Sequence, residues 1–282
     1  MSALHLDPSL DQAPLGKSSL YLSTYTPSLL FAIPRHTKRE ELGLTAELPF
    51  TGVDLWNGYE LSWLDLSGKP VVAAAELMVP SESANIFESK SLKLYFNSFN
   101  NSRFASLAEV QALAEADLTR IVAAPVAVRI FSLDAMNLDF RQLEGLCLDD
   151  LDVECNTYLP DPSLLGSAAA SSESIEECLY SHLLKSNCLV TGQPDWGSLE
   201  IRYRGPRFNY PGLLRYLVSL RDHHEFHEQC LERLFVEISR AFKPEWLSVY
   251  ARYVRRGGWD INPYRVSAGS PIQVDNRRIN RQ

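Results

Sequence analysis

Cys188 and Asp195 are the pair of side chains best able to do chemistry in this sequence. They lie seven positions apart in Lys185-Ser186-Asn187-Cys188-Leu189-Val190-Thr191-Gly192-Gln193-Pro194-Asp195-Trp196-Gly197. The Gly-Gln-Pro stretch between them predicts a strand, a turn and a second strand, which would fold Asp195 back toward Cys188. A thiolate is a strong nucleophile, and a nearby acid can protonate what it attacks. A lone cysteine among apolar residues is otherwise a small buried hydrophobe. The spacing alone leaves both readings open.

Three other clusters could bind or react. Phe226-His227-Glu228 opens a long helical pattern, and His223, His224, His227 and Cys230 follow helical spacing. Zinc would need three or four such ligands in tetrahedral reach, and neither HExxH nor CxxC supports one. His227 and Glu228 at a helix start could instead face a ligand, the carboxylate accepting paired N–H donors from a purine-like ring. Glu88-Ser89-Lys90-Ser91-Leu92-Lys93-Leu94-Tyr95 is an amphipathic helix with a charged first turn, or a helix start that holds phosphate. Arg255-Arg256-Gly257-Gly258 places two cations on flexible backbone, a second phosphate candidate. No GxGxxG follows a strand and no GxxxxGK[ST] occurs, so neither a Rossmann nor a P-loop site is indicated.

The elements that must position these groups fall into two halves. In the first, Val53–Asp65 and Pro70–Val79 read as strands around Ser67-Gly68-Lys69, and Glu88–Phe99 reads as a helix. Ser106-Leu107-Ala108-Glu109 is a capping box for a helix to about Ala123. Val126, Val128 and Ile130 alternate as a strand, with Val153–Leu159 as its expected partner. In the second, Glu177–Val190 and Gly197–Arg204 read as strands, Pro211–Leu220 and His227–Phe242 as helices, and Trp246–Val254 and Ile261–Val266 as strands. Gly68-Lys69-Pro70 and Gly192-Gln193-Pro194 match at an offset of 124 residues, which also carries Glu76-Leu77 onto Glu200-Ile201. The run Gly-Ser-Ala-Ala-Ala-Ser-Ser within Pro160–Ser174 reads as a linker. Modules at 1–160 and 161–282 are expected. Each would be an antiparallel sheet with two helices on one face, an α+β architecture.

Composition narrows the partners. The chain has 282 residues, 45% hydrophobic and 22% charged, with a formal net charge of −8, which argues against general nucleic-acid affinity. The first 17 residues lack a signal-peptide pattern, and no apolar run approaches a membrane span. Five cysteines without dense spacing suit a reduced, cytoplasmic protein.

Taken together, Glu88-Ser89-Lys90-Ser91-Leu92-Lys93-Leu94-Tyr95-Phe96-Asn97-Ser98-Phe99, Ser186-Asn187-Cys188, Gln193-Pro194-Asp195-Trp196, Phe226-His227-Glu228 and Arg255-Arg256-Gly257-Gly258 with Asp260-Ile261-Asn262-Pro263 resemble the NADPH-dependent 7-cyano-7-deazaguanine reductases. These are the nitrile reductases of queuosine biosynthesis, a tRNA modification. The resemblance runs from about Tyr25 to Pro263, and it is to the long, two-module form. It implies tandem tunnelling-fold modules, related to GTP cyclohydrolase I. The first half holds Glu88-Ser89-Lys90 and the second holds Cys188, which suggests one composite site. By resemblance, Cys188 is the nucleophile that gives a covalent thioimide and Asp195 is the proton donor. Phe87, Glu88, Ser89, His227 and Glu228 would contact the deazaguanine. Ser89, Lys90, Arg256 and Gly257 would contact NADPH, used twice per turnover, with no metal. A small-molecule deazapurine substrate, no direct nucleic-acid or membrane partner, and a homodimer are the expected associations. The alternatives are a thiol hydrolase using Cys188, His227 and Asp195, a metal-dependent cyclohydrolase, and a catalytically silent purine-binding module.

Overall fold

The computed structural model describes residues 21–45, 47–136, 139–168 and 173–282. The elements in chain order are β1 (Ala32–Pro34), α1 (His36–Glu41), β2 (Phe50–Leu64), β3 (Pro70–Pro80), β4 (Asn85–Phe87), α2 (Ser89–Asn97), α3 (Leu107–Val122) and β5 (Ala127–Phe131). They continue with β6 (Leu146–Cys147), β7 (Ile175–Ser181), β8 (Lys185–Asn187), β9 (Pro194–Gly205), α4 (Tyr210–Ser219), α5 (His227–Phe242), β10 (Trp246–Tyr253) and β11 (Trp259–Ser267). Helices and largely antiparallel strands make the chain α+β. The chain divides into two compact units.

The first unit comprises the described residues of Met1–Thr45, with Trp56–Met136 and Gly257–Trp259. Its sheet runs β5, β3, β2, with β3 and β5 antiparallel and Ala75 opposite Ile130. In β5, Val128 and Ile130 are buried and their neighbours Ala127 and Arg129 exposed, the period-2 alternation of a strand with one covered face. Helix α3 lies on β5 and buries Val110, Ala114, Leu118 and Val122, one stripe at helical spacing. Ser106 caps it by accepting from the N–H of Glu109, and Glu109 reaches back to the N–H of Ala105. Asp117 of α3 accepts from both Tyr25 (2.6 Å) and Tyr95 (2.9 Å), tying the incoming chain and α2 to one carboxylate.

The second unit comprises the described residues of Ala46–Leu55 and Asn137–Arg256, with Asp260–Gln282. Its strands run β11, β10, β9, β7, β6, and β8 pairs separately with β9. Helix α5 packs on β10 and buries Cys230, Leu231, Leu234, Phe235, Ile238 and Phe242. Each large apolar side chain so buried contributes roughly 1.5–3 kcal/mol. Arg265, wholly buried on β11, is held by Asp54 (2.7 Å) and Glu232 (2.8 Å), which supply the countercharge that burial demands.

Three expectations are corrected. Val153–Leu159 is not a strand: the carbonyl of Glu154 accepts from Arg215 and that of Tyr158 from the N–H of Asp222, so no ladder forms. Glu177–Val190 is two strands, because Asp149 accepts from the Ser181 hydroxyl and the His182 N–H and breaks the run there. The stretch from Pro160 is packed where it was expected to be a linker. Pro162–Leu165 forms a short 3-10 helix, Leu165 is fully buried, and its carbonyl accepts from Asn209 at 3.0 Å. Residues 169–172 of that reading lie outside the described residues.

Candidate active site

The break after Ser181 aims β8 along the start of β9, with Ser186 opposite Asp195 and Asn187 opposite Pro194. The hairpin closes tightly. The N–H of Cys188 donates to Gln193 O at 2.8 Å, and that of Gly192 donates to Cys188 O at 3.0 Å. Gly192 sits at φ +67°, a conformation that glycine adopts without strain. Asp195 therefore returns beside β8, which ends one residue before Cys188, in the sense the spacing predicts. Cys188 is 8% exposed and Asp195 3% exposed, and Cys188 is a free thiol.

The approach to helix α5 brings the next groups in. Asn187 N–H donates to His223 O (2.7 Å) and Glu225 N–H to Asn187 O (3.2 Å), which pins the loop before α5 against the residue preceding Cys188. Below that loop, Arg233 donates to Glu225 at 2.9 Å and His223 Nε2 lies 2.9 Å from the same carboxylate. Burial alone would push the Glu225 carboxyl up, but the His223 and Arg233 hydrogen bonds outweigh it and bring it down to about 2. On the first turn of α5, His227 Nε2 lies 3.7 Å from Asp195 Oδ1, and Glu228 is buried. Arg256, just beyond β10, donates to both Asp195 and the Gln193 side chain. The structure thus gathers Cys188, Asp195, His227 and Arg256 around one hairpin.

The first unit gathers the other expected residues. Phe87 ends β4 buried, Glu88 caps α2, and Ser89 and Lys90 form its first turn. Glu88 Oε1 accepts from the N–H of Lys90 (2.7 Å) and Oε2 from that of Ser91 (2.8 Å). Burial pushes its carboxyl up, against the pull of those two N–H groups. The helix-start donors that could meet a phosphate are therefore held by this carboxylate. Gly257 adopts φ +57°, and Lys93 lies against it.

Among the described residues no group of three or more His, Cys, Asp or Glu side chains is placed to hold a metal ion. His223 faces Glu225, His227 faces Asp195, and Cys230 is wholly buried, so the helical spacing does not converge. Sequence reasoning missed the Arg256–Asp195 pair and the Glu225–Arg233 pair. The first had a signal: β10 pairs with β9 so that Tyr253 faces Gly197, and Val254 N–H donates to Trp196 O at 2.8 Å, which carries Arg256 toward Asp195. The second had none, since buried and exposed carboxylates look alike in a sequence.

Residues 21–130 match the family described as nitrile reductase, 7-cyano-7-deazaguanine-reductase N-term, and residues 194–270 match the QueF-like protein family. An NADPH-dependent 7-cyano-7-deazaguanine reductase of Ralstonia nicotianae is 54% identical over 275 residues, covering 96% of this chain and 99% of that protein. The chain belongs to the NADPH-dependent 7-cyano-7-deazaguanine reductase family. A reductase of the same name from Dechloromonas aromatica is 52% identical, covering 100% of this chain and 99% of that protein. One from Azoarcus sp. (strain BH72) is 54% identical and covers 91% of each. The crystal structure of the archaeosine synthase QueF-Like in the apo form aligns with 36% of this chain at 18% identity and a TM-score of 0.31, too low a likeness to bear on the fold.

Proposed function

We propose that this protein reduces the nitrile of 7-cyano-7-deazaguanine to the primary amine, 7-aminomethyl-7-deazaguanine, with NADPH, in the queuosine modification of tRNA. Family membership supports the reaction. The single observation that supports the covalent mechanism is the hairpin that returns buried Asp195 beside β8, the strand that ends one residue before Cys188. The Cys188 thiolate adds to the nitrile carbon. The displaced electron pair goes to nitrogen, which takes a proton from Asp195, and the product is a thioimide. NADPH supplies hydride, twice per turnover. The first hydride adds to the thioimide carbon, and the carbon–sulfur bond then breaks, giving the imine and returning Cys188 as the thiolate. A second hydride and proton convert the imine to the amine, so the whole change consumes two hydrides and two protons. Each unit is read as a tunnelling-fold module.

His227 and Glu228 hold the deazaguanine in this reading, as do Phe87, Glu88 and Ser89. A buried carboxylate suits the paired N–H donors of a purine-like edge. Ser89, Lys90, Arg256 and Gly257 hold NADPH. The side chains fit its phosphates in charge, with Lys90 and Lys93 three residues apart on α2 and a guanidinium at Arg256. For Arg256 this requires exchanging Asp195 and Gln193 for phosphate. Intact-protein mass spectrometry after mixing with the nitrile, without NADPH, tests the mechanism. The expected result is a mass gain of one nitrile on the parent protein and none on Cys188→Ala. The same gain on Cys188→Ala would rule out the assigned nucleophile.

A further inference from the structure

Pro263 interrupts the ladder between β10 and β11, and two side-chain amides complete it. The pairing runs from Ser248 opposite Val266 to Tyr250 opposite Tyr264. Counting on, Pro263 stands opposite Ala251 and has no N–H to donate. Tyr253, further along β10, is the register partner of Gly197 on β9. Val254 N–H donates to Trp196 O, so Tyr253 and Gly197 are a non-hydrogen-bonded pair and the backbone groups of Tyr253 point away from β9. Side chains take them up. The N–H of Tyr253 donates to Asn262 Oδ1 at 3.2 Å, and its carbonyl accepts from Gln282 Nε2 at 3.1 Å. The two amides are tied to each other, since Gln282 Nε2 also donates to Asn262 Oδ1 at 2.7 Å. Gln282 Oε1 accepts from Arg252 Nε at 2.7 Å and from the N–H of Ile279 at 3.3 Å. Both hydrogens and the oxygen of this amide are therefore used. Arg281, its neighbour, donates to Gly197 O at 3.1 Å. Arg281 and Gln282 thus take one carbonyl from each member of the Tyr253–Gly197 pair.

What this clamp holds is the Tyr253 ring. The ring meets His227 edge-on, with centroids 4.0 Å apart, and His227 Nε2 lies 3.7 Å from Asp195 Oδ1. The Tyr253 hydroxyl interacts with the Cys230 thiol and the Ser186 hydroxyl. The flank of the ring lies over Gly197, where a Cβ would come within 3.1 Å of it. Backbone, hydroxyl and flank are all engaged, and the ring in turn bounds one side of the His227 imidazole.

We infer that Asn262, Arg281 and Gln282 are positioning residues, which clamp the Tyr253–Gly197 pair and through the Tyr253 ring set His227 against Asp195. This gives a task to Asn262 of the Asp260-Ile261-Asn262-Pro263 motif, which is wholly buried. A reacting group displaced by about 1 Å can lose 100-fold in rate, so a clamp remote from the chemistry can govern it. The effect on rate rests on the proposed roles of Asp195 and His227; the effect on the placing of His227 does not.

The test reads His227 directly by nuclear magnetic resonance. In histidine-labelled protein its Cε1–H signal, one of six and assigned by its absence in His227→Gln, carries the ring current of Tyr253. Gln282→Glu keeps an acceptor for Arg252 but sets a carboxylate against the Tyr253 carbonyl and Asn262 Oδ1. Gly197→Ala presses the same ring from its flank. Both are expected to move the His227 signal and to slow formation of the Cys188 adduct, without NADPH, by about 10- to 100-fold. Should Gln282→Glu fail to fold, Gln282→Asn, one methylene shorter, serves with the same expectation. A His227 signal at its parent position in the Gln282 variants would overturn the inference, even with a lowered melting temperature, since that marks a structural role alone. A moved signal with parental adduct rates would overturn it as well. A parent protein that forms no adduct would instead overturn the covalent mechanism, and the His227 signal would still decide the clamp.

Discussion

At the scale of single residues, the account stands on two side chains with different tasks. Five cysteines are present, and Cys188 is the one that directly follows a strand, β8, whose Ser186 is paired with a buried acid, Asp195. Burial pushes the Cys178 thiol up to about 11, which leaves little thiolate there at neutral pH. Replacing Cys147, Cys155 or Cys178 with alanine is therefore expected to leave the rate of NADPH oxidation within about twofold, whereas Cys188→Ala abolishes it. Asp195→Asn keeps the size of the side chain but supplies no acidic proton. Loss of a general acid slows a step by about 10²–10⁴-fold. Stopped-flow measurement of thioimide formation is expected to show a slowing in that range, with nitrile binding retained. Adduct formation at the parental rate would make Asp195 a turn residue and move the donor role to His227, 3.7 Å away.

At the scale of elements, the loop before α5 links that helix to β8 through Glu225. Arg233 of α5 holds Glu225, whose backbone N–H anchors Asn187 beside Cys188. Arg233→Met would leave the buried Glu225 carboxylate with His223, at 2.9 Å, in place of the arginine pair. Breaking a buried pair in this way costs about 3–5 kcal/mol. Thermal or urea unfolding is expected to show that loss, and a change below about 1 kcal/mol would contradict it. The same carboxylate sets an acid limit. Its value falls from 4.5 to about 2 on folding, so its stabilisation is complete above pH 4.5 and is lost as pH falls toward 2. The shift corresponds to about 3 kcal/mol. Unfolding followed between those pH values is expected to show stability declining in the parent and declining less in Glu225→Gln. Much of this level was legible in the sequence. His227–Phe242 announced itself by period and matches α5 at both ends, and Ser106 announced the start of α3. Val153–Leu159 was expected to partner the Val126–Ile130 strand, but its carbonyls accept from Arg215 and Asp222 instead. The division of Glu177–Val190 was hidden because its cause, Asp149, lies far earlier in the chain.

At the scale of the whole molecule, the longer strands and helices and the α+β class were readable from local patterns, while the short strands β1, β4 and β6 were not. The packing of Pro162–Leu165 was not, since a Ser- and Ala-rich stretch looks the same whether or not its leucine finds a core. The candidate site was legible through its motifs, but the partnership of Arg256 with Asp195 needed the register of β9 and β10. The chemistry asks for no metal, so activity is expected to survive dialysis against EDTA. Full loss restored by zinc would revive a cyclohydrolase-like reading. The central claim is a four-electron reduction of a nitrile, and its most direct test is the ratio of NADPH oxidised to amine formed. With 7-cyano-7-deazaguanine added, loss of the NADPH absorbance band and quantitation of the amine are expected to give a ratio of two to one. Release of ammonia with no loss of NADPH would contradict the account and make the protein a hydrolase.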